Sequence, residues 1–77
     1  MPDLTYGKHA RERMEERDVT EQDIEQALSR QIGNPEPGEP GSIWIRGYAA
    51  GGRILKVCVR ADDTRCVITV AWPGQAG

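Results

Sequence analysis

The chain has 77 residues, a net charge of −2, two cysteines, one histidine and no phenylalanine. That length holds one domain, near the lower limit for a single hydrophobic core without staples. No apolar run approaches the roughly 18 residues of a membrane span, and the start Met-Pro-Asp-Leu lacks the basic-then-apolar order of a secretory signal. Cys58 and Cys66 make no metal spacing with His9. The expectation is a cytoplasmic, membrane-free domain with no cofactor, no metal and two free thiols.

Charge is unevenly spread. Residues 1–30 carry five basic side chains against eight acidic ones, whereas residues 41–77 carry five against two. The C-terminal half is locally basic, which suits either an anionic partner or an ordinary solvated sheet.

The first element is a helix over Lys8 to Arg17. His9, Arg13 and Arg17 recur every four residues and form one column, beside a thin apolar column of Ala10 and Met14. The polar column should run along the edge of whatever the helix packs against. Gly7 is the expected N-cap, with Thr5 as the alternative. The helix should stop at Asp18, in a left-handed conformation that glycine would satisfy better.

A second helix starts at Thr20, with Asp23 completing a near capping box and Val19 and Ile24 forming a hydrophobic staple. Ile24, Ala27 and Leu28 give its apolar face, and Gly33 or Asn34 should end it. The two helices predict a helical hairpin over about 6–32. Residues 33–41 hold three prolines and no apolar side chain, and read as a linker.

Three strands follow over about 42–72: Ser42 to Ala50, Arg53 to Arg60 and Arg65 to Trp72, with turns at Gly51-Gly52 and Ala61 to Thr64. A four-residue second turn sets Val59 opposite Cys66, Val57 opposite Ile68 and Leu55 opposite Val70, all on the helix side. Lys56, Cys58, Arg60, Arg65, Val67 and Thr69 then share the open face. The first strand has two registers open to it: a strict two-residue Gly-Gly turn sends Trp44, Arg46 and Tyr48 to the helix side, and a one-residue bulge sends Ile43 and Ile45 there and leaves Arg46 on the open face. The cost of burying an unpartnered guanidinium favours the bulge. The expected fold is α+β: an N-terminal helical hairpin on one face of a three-stranded antiparallel meander. The first strand's outer edge could pair with a second copy to make a homodimer.

A basic open face with Trp44 and Tyr48 suits RNA: cations for phosphates and aromatic rings for bases. His9 is the one side chain suited to proton transfer near neutral pH. On bare residues, a lone helical histidine is more often a cap or a half-buried packing residue, and Arg13 and Arg17 have acidic neighbours to pair with.

The run Tyr6-Gly7-Lys8-His9-Ala10, then Arg13-Met14, Arg17-Asp18-Val19-Thr20, Ile24 and Ala27-Leu28, with Leu55-Lys56-Val57 and Val67-Ile68-Thr69-Val70, resembles a family of small bacterial domains of unknown function. That family is similar in layout to the RelE and BrnT type toxins, small metal-independent ribonucleases. The family pattern has Ser where this chain has Gly7, and Gly where it has Asp18. The resemblance implies a toxin-like endoribonuclease with His9, Arg13 and Thr69 as catalytic residues. Arg17, Arg46, Lys56 and Arg60 would contact the RNA, and an antitoxin would cover the basic surface. The alternative is a non-catalytic protein-docking module, or a degenerate relative of such toxins.

Overall fold

The computed structural model describes residues 4–74; Gln75 to Gly77, which the sequence past Pro73-Gly74 marks as a fraying tail, lie outside the described residues. In chain order they form β1 (Thr5–Tyr6), α1 (Lys8–Glu16), α2 (Glu21–Ser29), β2 (Gln31–Pro37), β3 (Ser42–Tyr48), β4 (Ile54–Arg60) and β5 (Cys66–Ala71). The strands make a five-stranded sheet in the order β1-β5-β4-β3-β2. It is mixed: β1 runs parallel to β5, and the other neighbours are antiparallel.

This corrects the expected three-stranded antiparallel meander behind an N-terminal helical hairpin. The first element of the described residues is a strand. Thr5, the alternative helix cap, pairs with Cys66 instead, and Gly7 caps α1 from an extended conformation. Each helix packs on the sheet rather than on its neighbour, α1 over β5 and α2 over β3 and β4. Of the stretch 33–41 expected to be a linker, residues 33–37 belong to β2. Proline lacks a backbone donor and so argues against a central strand, but an edge strand turns half its donors to solvent and tolerates it. Gly33 takes a positive φ of 66° within the irregular stretch between Ile32 and Glu36, and so serves that irregularity rather than the end of α2. The helix ends at Ser29, with Arg30 as its C-cap.

Local signals at the helix ends behave as their chemistry dictates. Asp18 has φ 55°, and the Val19 amide donates to the Met14 carbonyl at 2.8 Å, closing α1 in a Schellman turn. Met14 and Val19 are both buried there. At the start of α2 both bonds of the capping box form: Thr20 N donates to Asp23 Oδ2 at 3.0 Å, and Asp23 N donates to Thr20 Oγ1 at 3.1 Å. The second oxygen of Asp23 accepts from the Ala50 amide at 3.2 Å, tying this helix to the β3–β4 hairpin.

That hairpin contains the expected bulge. Ala49 N donates to Arg53 O, Gly52 N donates to Ala49 O, and Gly52 has φ 87°. This is a three-residue loop with a glycine bulge. It sets Ile45 opposite Val57 and Arg46 opposite Lys56, so Ile43 and Ile45 face the helices while Arg46 does not.

The core lies between the helices and one sheet face. Ala10, Met14, Ile24 and Ala27 meet Ile45, Leu55, Val57, Val59, Val67 and Val70. α2 comes so close to β3 at Gly47 that a Cβ there would overlap the backbone of Ala27. The second hairpin departs from the expected register. Val59 pairs with Val67 and Val57 with Val70, with a bulge between them at Ile68. Val67 therefore belongs to the core, and Ile68 does not.

Candidate functional site

The bulge in β5 builds the site. In a regular strand successive side chains alternate faces, so Ile68 and Thr69 would point opposite ways. One extra residue opposite Cys58 turns both to the open side. There they wall a pocket of about 410 Å³ with Cys58 of β4 and Ser42 and Trp44 of β3. His9 reaches the same pocket from the first turn of α1, and Glu39, Pro40 and Gly41 close one side.

His9 arrives there because its column follows the free edge of β5. Among the described residues β1 pairs with β5 at Cys66 and Val67. The β5 edge carbonyls at Arg65 and Val67 accept from Thr5 and Gly7. Past that point, α1 takes over: Arg17 Nη1 donates to the Val70 carbonyl at 2.8 Å. Trp72 Nε1 returns the link by donating to the Arg17 carbonyl at 2.7 Å. The helix is thus pinned along the strand at its far end while its near end presents His9.

Electrostatics within the pocket are mixed. Thr69 is 5% exposed, and its Oγ1 is buried with no hydrogen-bond partner among the described residues. A buried hydroxyl in that state costs about 1–3 kcal/mol, so it is a group in need of an acceptor or donor. Ser42 Oγ donates to the Glu39 carbonyl at 2.8 Å, which fixes the loop beside the pocket. Burial pushes the Cys58 thiol above its usual range, with Glu39 adding to the shift and the Ser42 hydroxyl opposing it. Such a thiol is a protonated wall, not a nucleophile.

The sequence-predicted residues fall into three groups. His9 and Thr69, sixty positions apart, meet in the pocket. Lys56 and Arg46 flank it on the open face: Lys56 Nζ stands 5.4 Å from the centre of the Trp44 ring, and Arg46 pairs with Glu36 at 3.3 Å. The other three are elsewhere. Arg13 does not line the pocket, its Nη1 pairing with Glu16 at 2.6 Å while its Nε is buried without a partner. Arg17 braces β5, and Arg60 is held by Asp62 through two bonds of 3.0 and 2.9 Å.

Reading the sequence missed Cys58, Ile68, Ser42 and the 39–41 loop as pocket walls. The Pro40-Gly41 turn beside Trp44 hinted at the loop, but nothing in the sequence announces the bulge. Both cysteines are free thiols. Among the described residues, no three His, Cys, Asp or Glu side chains cluster so as to hold a metal ion, and no helix is long and apolar enough to cross a membrane.

Fold and pocket together define a two-layer domain: two helices on one face of a five-stranded mixed sheet, and a pocket of mixed polar and apolar lining on the other. The chain belongs to the family described as Domain of unknown function (DUF4258), whose model matches residues 6–72. The match runs through the proline-rich β2 as well as the helices and the later strands. No curated protein and no solved structure matches the chain.

Proposed function

We propose that this chain is a toxin-like ribonuclease, of the RelE and BrnT type in its chemistry, that cleaves RNA without a metal. The observation that carries the reading is the meeting of His9 with the buried, unpartnered Thr69 hydroxyl in one open pocket. His9 takes the proton from an RNA 2′-hydroxyl as that oxygen attacks the adjacent phosphorus. The bond to the 5′-oxygen breaks, and the same imidazole returns the proton to it, leaving a 2′,3′-cyclic phosphate. Thr69 supplies a hydrogen bond to a phosphate oxygen or to the attacking hydroxyl, which satisfies its own buried oxygen at the same time. Arg13 has no part in this scheme, because its guanidinium is engaged by Glu16 outside the pocket. An antitoxin would act by covering the open face and the pocket mouth.

The test is cleavage of a mixed-sequence single-stranded RNA by the purified chain and by His9→Ala, with melting temperatures measured alongside. Loss of a general acid–base group should cut the rate by about 10²–10⁴-fold. His9 is exposed, so the fold should be unaffected. Cleavage that survives His9→Ala sinks the assignment.

A second reading is a protein-docking module. The net charge of −2 favours it, and so does the exposure of Tyr48 and Ile54, which pair across β3 and β4. Such a module would be indifferent to His9 and would lose its partner on Tyr48→Ala.

A further inference from the structure

The open face of β3 and β4 carries a pattern that the pocket alone does not use. Side chains on one face of a strand recur every second residue. Trp44, Arg46 and Tyr48 therefore stand in a row on β3, an aromatic ring, a cation and a second aromatic ring. Pairing sets Cys58, Lys56 and Ile54 beside them on β4. At about 3.3 Å per residue, Trp44 and Tyr48 are about 13 Å apart along the strand, with both cations midway. Trp44 is also a wall of the pocket, so the row begins where the pocket opens.

We propose that this row binds two consecutive nucleotides of single-stranded RNA. One base lies against Trp44 at the pocket mouth, the next lies against Tyr48, and the phosphate between them sits at Arg46 and Lys56. The proposal rests on the RNA reading of the pocket and gives that reading a direction and a strandedness. Aromatic faces bind bases that are unstacked, which a duplex does not offer. Tyr48 is 44% exposed and Ile54 38%, an apolar platform open to a base. Among the described residues Arg46 pairs with Glu36, at 3.3 Å and with both side chains exposed, a kind of pair that yields readily to a phosphate. Arg60 lies at the far end, opposite Ser42 and tied to Asp62, and is outside the row.

The experiment uses the wild-type chain and a fluorescent hexauridylate carrying 2′-O-methyl groups, which cannot be cut by 2′-oxygen attack. Anisotropy gives affinity as a function of salt. Tyr48→Ala should weaken binding about tenfold or more, as loss of one base–aromatic stack does. Lys56→Gln should reduce the slope of log affinity against log salt by about 0.7, the value for one phosphate on a single strand. Trp44→Leu should weaken binding at least as much as Tyr48→Ala. Because Trp44 packs against Gly38, the exposed Tyr48 remains the decisive variant should the Trp44 variant fail to fold. A duplex of the same length should compete at least tenfold less well than the single strand.

Binding that ignores both Tyr48→Ala and Lys56→Gln, or a duplex that competes equally, overturns the row. An unmodified hexauridylate separates the two proposals. Tight, Tyr48-dependent binding without cleavage supports the row and removes the ribonuclease. Cleavage that is indifferent to Tyr48 removes the row and leaves the ribonuclease. Neither binding nor cleavage at low salt overturns the row and turns the open face over to a protein partner.

Discussion

The two faces of the sheet are made from the same strands and obey opposite rules. On the helix side, alternate residues are Ile45, Gly47, Leu55, Val57, Val59, Val67 and Val70, every one of them buried. On the open side their neighbours are Trp44, Arg46, Lys56, Cys58 and Thr69, among which exposure, charge and burial mix freely. One face is determined by contact and the other by chemistry. The difference predicts how substitutions divide: on the helix side they act through stability, and on the open side they act chiefly through the proposed function.

The largest effect should come from Gly47→Ala. The helix backbone at Ala27 leaves no room for a methyl group, and backbone cannot step aside as a side chain can. Overpacking of this kind costs about 3 kcal/mol or more. In a domain of this size that lowers the melting temperature by more than about 12 °C. A Gly47→Ala chain that melts within a few degrees of wild type would mean that α2 does not rest on β3 as described.

Arg17→Met comes next. It keeps most of the aliphatic stem but removes the bond to the Val70 carbonyl, which lies on the β5 edge that β1 does not reach. A part-buried hydrogen bond from a charged donor is worth about 1.5–3 kcal/mol. The expected loss is about 2 kcal/mol in a urea titration. RNA affinity measured well below the transition should be unchanged. If affinity falls while stability holds, Arg17 belongs with the proposed RNA contacts after all.

Much of the helix side was legible in the sequence. Thr20, Asp23, Asp18 and Gly7 announce the helix ends through local chemistry, and the valines of β4 and β5 announce strands. The two edge strands were not legible. β1 is two residues long, and its pairing with β5 joins positions about sixty apart, which no local pattern records. β2 is disguised by Pro35 and Pro37, which a sheet accepts only at its edge. The edge expected to pair with a second copy is covered for the same reason: β3 lies between β2 and β4. The exposed edge belongs instead to β2, where prolines and an irregular register discourage further pairing. In the candidate site, His9 and Thr69 could be named in advance, but their meeting depends on the extra residue at Ile68. A bulge preserves every local propensity and changes only which face a side chain takes, so composition is silent about it.

Thr69→Val sharpens the comparison from the open side. It replaces a buried hydroxyl that has no partner by a methyl of the same shape. Stability should rise by up to about 1 kcal/mol, because an unsatisfied buried group is removed and nothing else moves. RNA cleavage should fall in the same protein. A gain in stability with loss of activity is the signature of a group kept for function. A loss of stability would show that Thr69 has a structural bond and no claim on the pocket.

The smallest effect concerns Cys58, which like Thr69 is an open-face residue as buried as a core side chain, at 5% exposure. Burial raises its thiol above the ordinary range, so between the unfolded and folded values the native state holds a proton that the unfolded state has lost. Stability then falls with rising pH across that window, and is fully present below it. The window opens at about pH 8.5, the ordinary thiol value. Tyr6, also raised by burial, adds a loss of the same sign at the ordinary phenol range and above. The Cys58 part is isolated by comparing wild type with Cys58→Ala: the two unfolding free energies should converge as pH rises from about 8 to about 10. Alkylation of the native chain in the same range should label the partly exposed Cys66 first. Parallel stability curves, or labelling of Cys58 at the rate of Cys66, would place that thiol in solvent and open the pocket floor to water.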